Sequence, residues 1–205
     1  MGLDSDSYRR LTIDCDVIFH IASHISFIEP YHTHRAANVP GAVNLLRLAV
    51  EEKSKPLHYV STIATIGPAG LLSPSKRFYE EDDLMPYLEG MKYTLGYIQS
   101  KWVVERLMWQ ARERGIPLAV YRPGFMMTDS LGHVGNPDDF MWRLIKGSIN
   151  TGASPLLPGD RKELTPVDYA CTALIRLSSD NSRLGACVSS DPSERRALYQ
   201  SKCLL

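Results

Sequence analysis

Apolar residues along this chain alternate between short unbroken runs and helical spacing. The segment Asp16 to Ala22, with its core Val17-Ile-Phe-His-Ile-Ala22, is a continuous apolar run of strand length, the pattern of a strand covered on both faces. A helix follows, with Ala42, Leu45, Leu46 and Ala49 on its apolar side and Arg47, Glu51, Glu52 and Lys53 outward. Pro56 stops it and opens a second strand, Leu57 to Ser61. Tyr97 to Arg114 is the strongest helix. Val103, Val104, Leu107, Met108 and Ala111 form its apolar face, and Lys101, Glu105, Arg106, Arg112 and Glu113 mark its wet side. Gly115 ends that helix, and Pro117 begins a third strand, Leu118 to Tyr121. The intervening stretch from Gly67 to Gly96, with acidic residues from Glu80 to Asp83, reads as mostly loop. Beyond Ser130 the chain is rich in Gly and Pro, with an amphipathic helix from Asp138 to Ile149 and a shorter one from Pro166 to Leu177. From Ser178 no period persists, which divides the chain into a domain over 1–178 and an unpatterned tail over 179–205.

Strands alternating with helices at these lengths predict right-handed βαβ units and a parallel sheet. Ligands bind such sheets outside the C-terminal strand ends. The residues there are Ala22-Ser23-His24, Ser61-Thr62 and Arg122-Pro123-Gly124.

Composition narrows the function. The chain has 205 residues, 44% hydrophobic and 22% charged, enough apolar material for a core. Lys plus Arg and Asp plus Glu both number 23, so the basic excess that drives phosphate-backbone binding is absent and nucleic acid is not an expected partner. The most apolar stretch, Val17 to Ile28, is too short and too polar to span a bilayer. Met1 to Arg10 is polar and reads neither as a secretory signal nor as a transit peptide. Cysteines 15, 171, 187 and 203 form no C-x-x-C pair, which points to free thiols in a reducing, cytoplasmic compartment, with Cys15 a buried structural residue rather than a nucleophile. His20, His24, His32 and His34 crowd together, but no Cys or carboxylate completes a ligand set at a known spacing, so no metal is expected. No G-x-S-x-G turn supports a serine hydrolase. Trp102 and Trp109 read as packing residues, and packing is the default for Trp142 too.

Tyr97 and Lys101 are four apart and share one helix face. Beside the hydroxyls of Ser61-Thr62 they place a phenol and an ammonium at adjacent strand ends. A fixed cation lowers a phenol's pKa from about 10, making Tyr97 a usable proton donor and acceptor. Hydride transfer at a carbonyl needs such a shuttle, together with a nicotinamide.

The segments Val17 to Ala22, Asn38-Val-Pro-Gly41, Tyr59-Val-Ser-Thr62, Tyr97-Ile-Gln-Ser-Lys101 and Arg122-Pro-Gly124 together resemble the extended short-chain dehydrogenase/reductase family. Within it, Tyr59 to Ile63, Gly96 to Glu105 and Gly135-Asn-Pro-Asp-Asp139 are most similar to thioester reductase domains, which end nonribosomal peptide synthetases and carboxylic acid or aminoadipate reductases in secondary metabolism. The resemblance covers about residues 3 to 178. It implies that Thr62, Tyr97 and Lys101 are catalytic, that Lys101 also holds the nicotinamide ribose, and that Ala22, Ser23, Pro123 and Gly124 line the cofactor, NADPH. It implies that the substrate is an acyl thioester on a carrier-protein phosphopantetheine arm and the product an aldehyde. Pro166 to Ala170 resembles the segment where the substrate region returns to the sheet.

The sequence departs from that family in places. Ser23 stands where the family usually has Ala, and Pro40 is acceptable only in a first helical turn. The family's opening strand and Gly-rich phosphate turn have no counterpart; Gly67-Pro-Ala-Gly70 and Gly132-His-Val-Gly135 read as loop glycines. The expected fold is therefore α/β, a partial Rossmann-like doubly wound parallel sheet lacking its first strands and glycine-rich turn. Without that turn the chain is expected to bind NADPH weakly, to have little activity, and to self-associate through an exposed apolar edge at Asp16 to Ala22. The rival readings are another extended short-chain reductase or epimerase, acting on a sugar nucleotide, steroid or flavonoid, and a non-catalytic fragment.

Overall fold

The computed structural model describes residues 2–132, 135–156, 164–180, 184 and 187–189. The chain is α/β. Helix α1 (Ser5–Asp14) precedes strand β1 (Ile18–His20), and α2 (Tyr31–Val50) leads to β2 (Leu57–Val60). A 3₁₀ turn, Ile63–Ile66, runs into α3 (Gly67–Leu72), and a second 3₁₀ stretch, Met85–Tyr93, precedes α4 (Gly96–Glu113). The remaining elements are β3 (Leu118–Arg122), β4 (Phe125–Met126), α5 (Phe140–Thr151), β5 (Leu164–Thr165), α6 (Val167–Ser178) and β6 (Cys187–Ser189).

The main sheet is parallel in the order β1-β2-β3-β6, with Ile18 opposite Leu57 and Leu57 opposite Leu118. Alternation along the strands sends Ile18, Leu57, Tyr59, Leu118 and Val120 to one face, where they pack on Ala42, Leu48 and Ala49 of α2 and on Val104 and Met108 of α4. The other face carries Phe19 stacked on His58, and the His58 ring bonded through Nδ1 to the Tyr121 hydroxyl at 2.9 Å.

Several sequence expectations change. The β1 run is shorter than Asp16 to Ala22 and is not covered on both faces: it lies at the end of the strand order, and Val17, Phe19 and Ile21 are exposed. The polar N-terminus forms α1, capped by the Asp4 carboxylate on the Ser7 N–H at 2.8 Å. Pro40 lies in mid-helix, not in a first turn, because α2 starts well before its apolar stripe. Pro40 and Ala36, whose carbonyl loses its helical partner, are both exposed, so the break falls on the solvent side of the helix. Buried Lys55 closes that helix by donating from Nζ to the carbonyls of Glu51 (2.7 Å) and Lys53 (2.9 Å), a cation on the negative end of the helix dipole.

The region read as loop holds α3 and a small second core of Ile66, Ala69, Phe78 and Leu84. Gly90 is needed there, since a Cβ would lie 2.4 Å from the Pro68 carbonyl oxygen. Strand β6 pairs with β3 inside the stretch read as patternless; three residues suffice because β3 supplies the template. The tail from 190 onward lies outside the described residues.

Candidate active site

Helix α4 begins where it does because Gly96 lets it touch the entry to α2. A Cβ at Gly96 would fall 2.5 Å from the Tyr31 nitrogen and 2.6 Å from the Pro30 carbonyl carbon. The Gln99 side-chain amide ties the preceding turn down by donating to the carbonyls of Met91 (2.8 Å) and Thr94 (3.2 Å). From this start, Tyr97, Lys101 and Glu105 fall on one stripe at four-residue spacing. That stripe faces the sheet ends rather than water. Lys101 is 2% exposed and Glu105 3%, so the assignment of both to the wet side is corrected. The reason is tertiary: the strand ends supply polar partners that a helix period does not reveal.

The Lys101 ammonium donates to the Val60 carbonyl at 2.7 Å and sits 4.5 Å from the centre of the Tyr59 ring. Burial pulls its pKa down to about 8, opposed by the charge of Glu105. Burial also pushes the Tyr97 phenol up to about 12. The expectation that Lys101 would bring Tyr97 below the ordinary phenol range is therefore reversed. Desolvation is the larger effect, because the ammonium is directed at Val60 and Tyr59. Tyr97 is held neutral at physiological pH, as a proton donor. His20, at the end of β1, is brought down to about 4 by burial and then by Lys101, so it too is neutral.

Thr62 follows β2 and caps the 3₁₀ turn, its hydroxyl oxygen accepting from the Ala64 N–H at 3.3 Å. That leaves the hydroxyl proton free to donate. The backbone beside it is fastened to the end of β3: Ser61 N–H donates to Tyr121 O at 2.6 Å and Ile63 N–H to Pro123 O at 2.9 Å. Thr62 thus lies next to Pro123-Gly124, both half-buried, and two residues from the carbonyl that Lys101 grips. Ala22 and Ser23 stand apart from this group, beyond the end of β1, exposed and half-buried respectively. Their loop is linked to α4 through Asn38. The Asn38 amide accepts from His24 N–H at 2.7 Å and donates to His24 O at 3.1 Å and to the Ser100 hydroxyl at 2.9 Å, which in turn donates to Tyr97 O at 2.7 Å.

Sequence reasoning missed the buried support of the site. The Glu105 carboxylate accepts from Ser61 Oγ at 2.7 Å, Thr65 Oγ1 at 3.2 Å and Arg122 Nε at 2.9 Å, and is also bonded by Arg122 Nη2. Arg122, 1% exposed, reaches on to the Glu80 carbonyl at 3.1 Å. The continuation of the Tyr97–Lys101 spacing to Glu105 was the available signal. The statement that no carboxylate joins the histidine cluster is also corrected. Glu29, half-buried, meets His24 and His34, with their ligand atoms all within 4.8 Å of one another; His20 and His32 are not in that group. Trp142 keeps its Nε1 buried without a hydrogen-bond partner among the described residues.

Residues 1–174 match the NAD-binding family described as male sterility protein. The chain is 42% identical over 179 residues to the aldehyde reductase lnaA of Aspergillus flavus, covering 87% of this chain and 17% of that protein. It is 40% identical over 184 residues to the nonribosomal peptide synthetase asaC of the same fungus, covering 90% of this chain and 18% of that protein. Among solved structures, the terminal R domain from the myxalamid PKS-NRPS biosynthetic pathway superposes with a TM-score of 0.81 at 36% identity, over 96% of this chain and 49% of that one. The chain thus spans less than a fifth of those two curated relatives and about half of the solved domain. Among the described residues, no helix is long and apolar enough to cross a membrane.

Proposed function

The chain belongs to the NAD-binding male sterility protein family, in its thioester reductase branch with a Rossmann-like parallel sheet, and from that premise we propose that it uses NADPH to reduce a carrier-protein-bound acyl thioester to an aldehyde. The observation that carries the reading is Lys101, buried on the helix face it shares with Tyr97 and seated on the Val60 carbonyl two residues before Thr62.

The residues present fit the nicotinamide-ribose half of a dinucleotide. Lys101 uses one of its three N–H donors on Val60, and the remaining two are available to ribose hydroxyls. Among the described residues the Tyr97 hydroxyl has no hydrogen-bond partner, and the Thr62 proton is unengaged. Pro123 and Gly124 lie beside Thr62 through the Ile63–Pro123 bond, and Ala22 and Ser23 follow β1, the strand paired with β2. Bound NADPH supplies the hydride. Tyr97 and Thr62 donate to the thioester carbonyl oxygen and stabilise the negative charge that develops on it as the carbon gains hydride. Breaking of the C–S bond then expels the phosphopantetheine sulfur as a thiolate, which takes its proton from solvent, and leaves the aldehyde. Tyr97 suits this task because burial keeps it protonated, and Lys101 limits the cost of transient charge on it.

The test is Tyr97→Phe in the chain extended by the Gly-rich strand-turn-helix it is expected to need, assayed by NADPH oxidation with a pantetheine thioester. Turnover should fall about 10²- to 10⁴-fold with NADPH affinity nearly unchanged, because the phenol acts in the transition state and makes few ground-state contacts. Undiminished turnover would show that another group donates the proton. Equal kcat/KM with NADH would remove the preference for the phosphorylated cofactor.

A further inference from the structure

His34 is fully buried in α2, yet among the described residues its Nε2 has no hydrogen-bond partner. Its other ring nitrogen, Nδ1, lies 3.2 Å from the His24 carbonyl oxygen. A carbonyl only accepts, so Nδ1 carries the proton and Nε2 presents a bare lone pair. Leaving such an atom buried and unpaired is unfavourable, which asks for a ligand. Two other metal-binding side chains lie beside His34. His24 Nε2 and Glu29 Oε2 are 2.5 Å apart, and one ligand atom from each of His24, Glu29 and His34 lies within 4.8 Å of the others.

We propose that His24, Glu29 and His34 bind a divalent first-row transition-metal ion. Two imidazoles and one carboxylate favour zinc-like ions over magnesium or calcium, which prefer all-oxygen sets. Bonds of about 2.0–2.1 Å to such an ion would set the donor atoms about 3.3 Å apart. The His24–Glu29 pair must open slightly and the wider pair must close. Both His24 and Glu29 are partly exposed and can rotate, while His34 is fixed. The ion displaces the proton shared by His24 and Glu29, and water completes its shell from the exposed side. The Nδ1–H bond from His34 to the His24 carbonyl is the outer support that metal-binding histidines commonly have. Because His24 and Glu29 lie in the segment between β1 and α2, the ion staples that segment, with Ala22 and Ser23, onto α2.

The experiment is calorimetric titration of the tag-free, thiol-alkylated chain with Zn2+, repeated with Co2+ and read by visible absorption. The wild type should bind one equivalent and show a higher Tm with zinc. His34→Gln and Glu29→Gln should each weaken binding at least about tenfold and lose the cobalt spectrum, while His32→Gln, an exposed neighbour on α2, should leave both intact. Glu29→Gln alone decides the matter should His34→Gln fail to fold. Equal affinity in the wild type and Glu29→Gln, or no saturable wild-type binding at micromolar zinc, would overturn the proposal.

Discussion

At the ends of β2 and β3 the polar groups are closed inside the protein, with Glu105 at the centre of bonds from Ser61, Thr65 and Arg122 and with Lys101 seated on Val60. The segment after β1 follows the strand next to β2 but is mostly exposed, and it is tied to the helices through Asn38 and His34. Both regions carry residues proposed to meet the cofactor. The difference is in how each is held. The Thr62–Pro123 side is set by burial and by backbone bonds between neighbouring strands, so it is rigid before anything binds. The Ala22–Ser23 side depends on a few polar contacts, so its order is open to adjustment by a ligand.

Breaking the closed side should have the largest effect. Glu105→Ala leaves the Arg122 guanidinium buried without its carboxylate, and losing one partner of a buried pair costs about 3–5 kcal/mol. Urea unfolding should show that loss; a change below about 1 kcal/mol would mean that water reaches Arg122 and that the side is not closed.

The next effect follows from Lys101. Its folded pKa is about 8 against an ordinary 10.5, so above pH 8 the unfolded chain binds more protons than the folded one, and stability rises with pH. The contribution is fully present above the unfolded value and is lost as pH falls through about 8. The stability of the wild type relative to Lys101→Met should therefore climb between pH 8 and 10, by about 1 kcal/mol per pH unit. Taking the difference cancels Tyr97, whose raised pKa acts in the opposite sense at higher pH. A flat difference would place Lys101 in contact with water.

The smallest effect belongs to the open side. Asn38→Ala removes both bonds to the His24 backbone and the link to Ser100, with an expected loss of about 1–2 kcal/mol. Hydrogen exchange should speed up at His24 while the amides of β2 and β3 keep their protection. Equal acceleration in both places would erase the distinction between the two regions.

Elements whose apolar residues repeat along the chain were legible without the fold. The strands at Leu57 and Leu118 and the helix over 97–114 were legible because apolar residues report which side of an element faces a core, while the amphipathic spacing near Phe140 and Val167 marked two helices that bury no residue. The Tyr97–Lys101 pairing was legible for the same reason, since four residues return a helix to the same face. Where the polar residues go depends on contacts between segments far apart in the chain. Lys101 and Glu105 read as solvent-facing because charge normally is, and their burial depends on Val60, Ser61 and Arg122 arriving from distant strands. Glu29 joined His24 and His34 because the turn into α2 folds back, and β6 formed because β3 offered it an edge. Apolar burial is a sum over local positions and leaves a periodic trace. A buried charge or a ligand set is a pairing between particular atoms far apart in sequence, and it leaves no period to read.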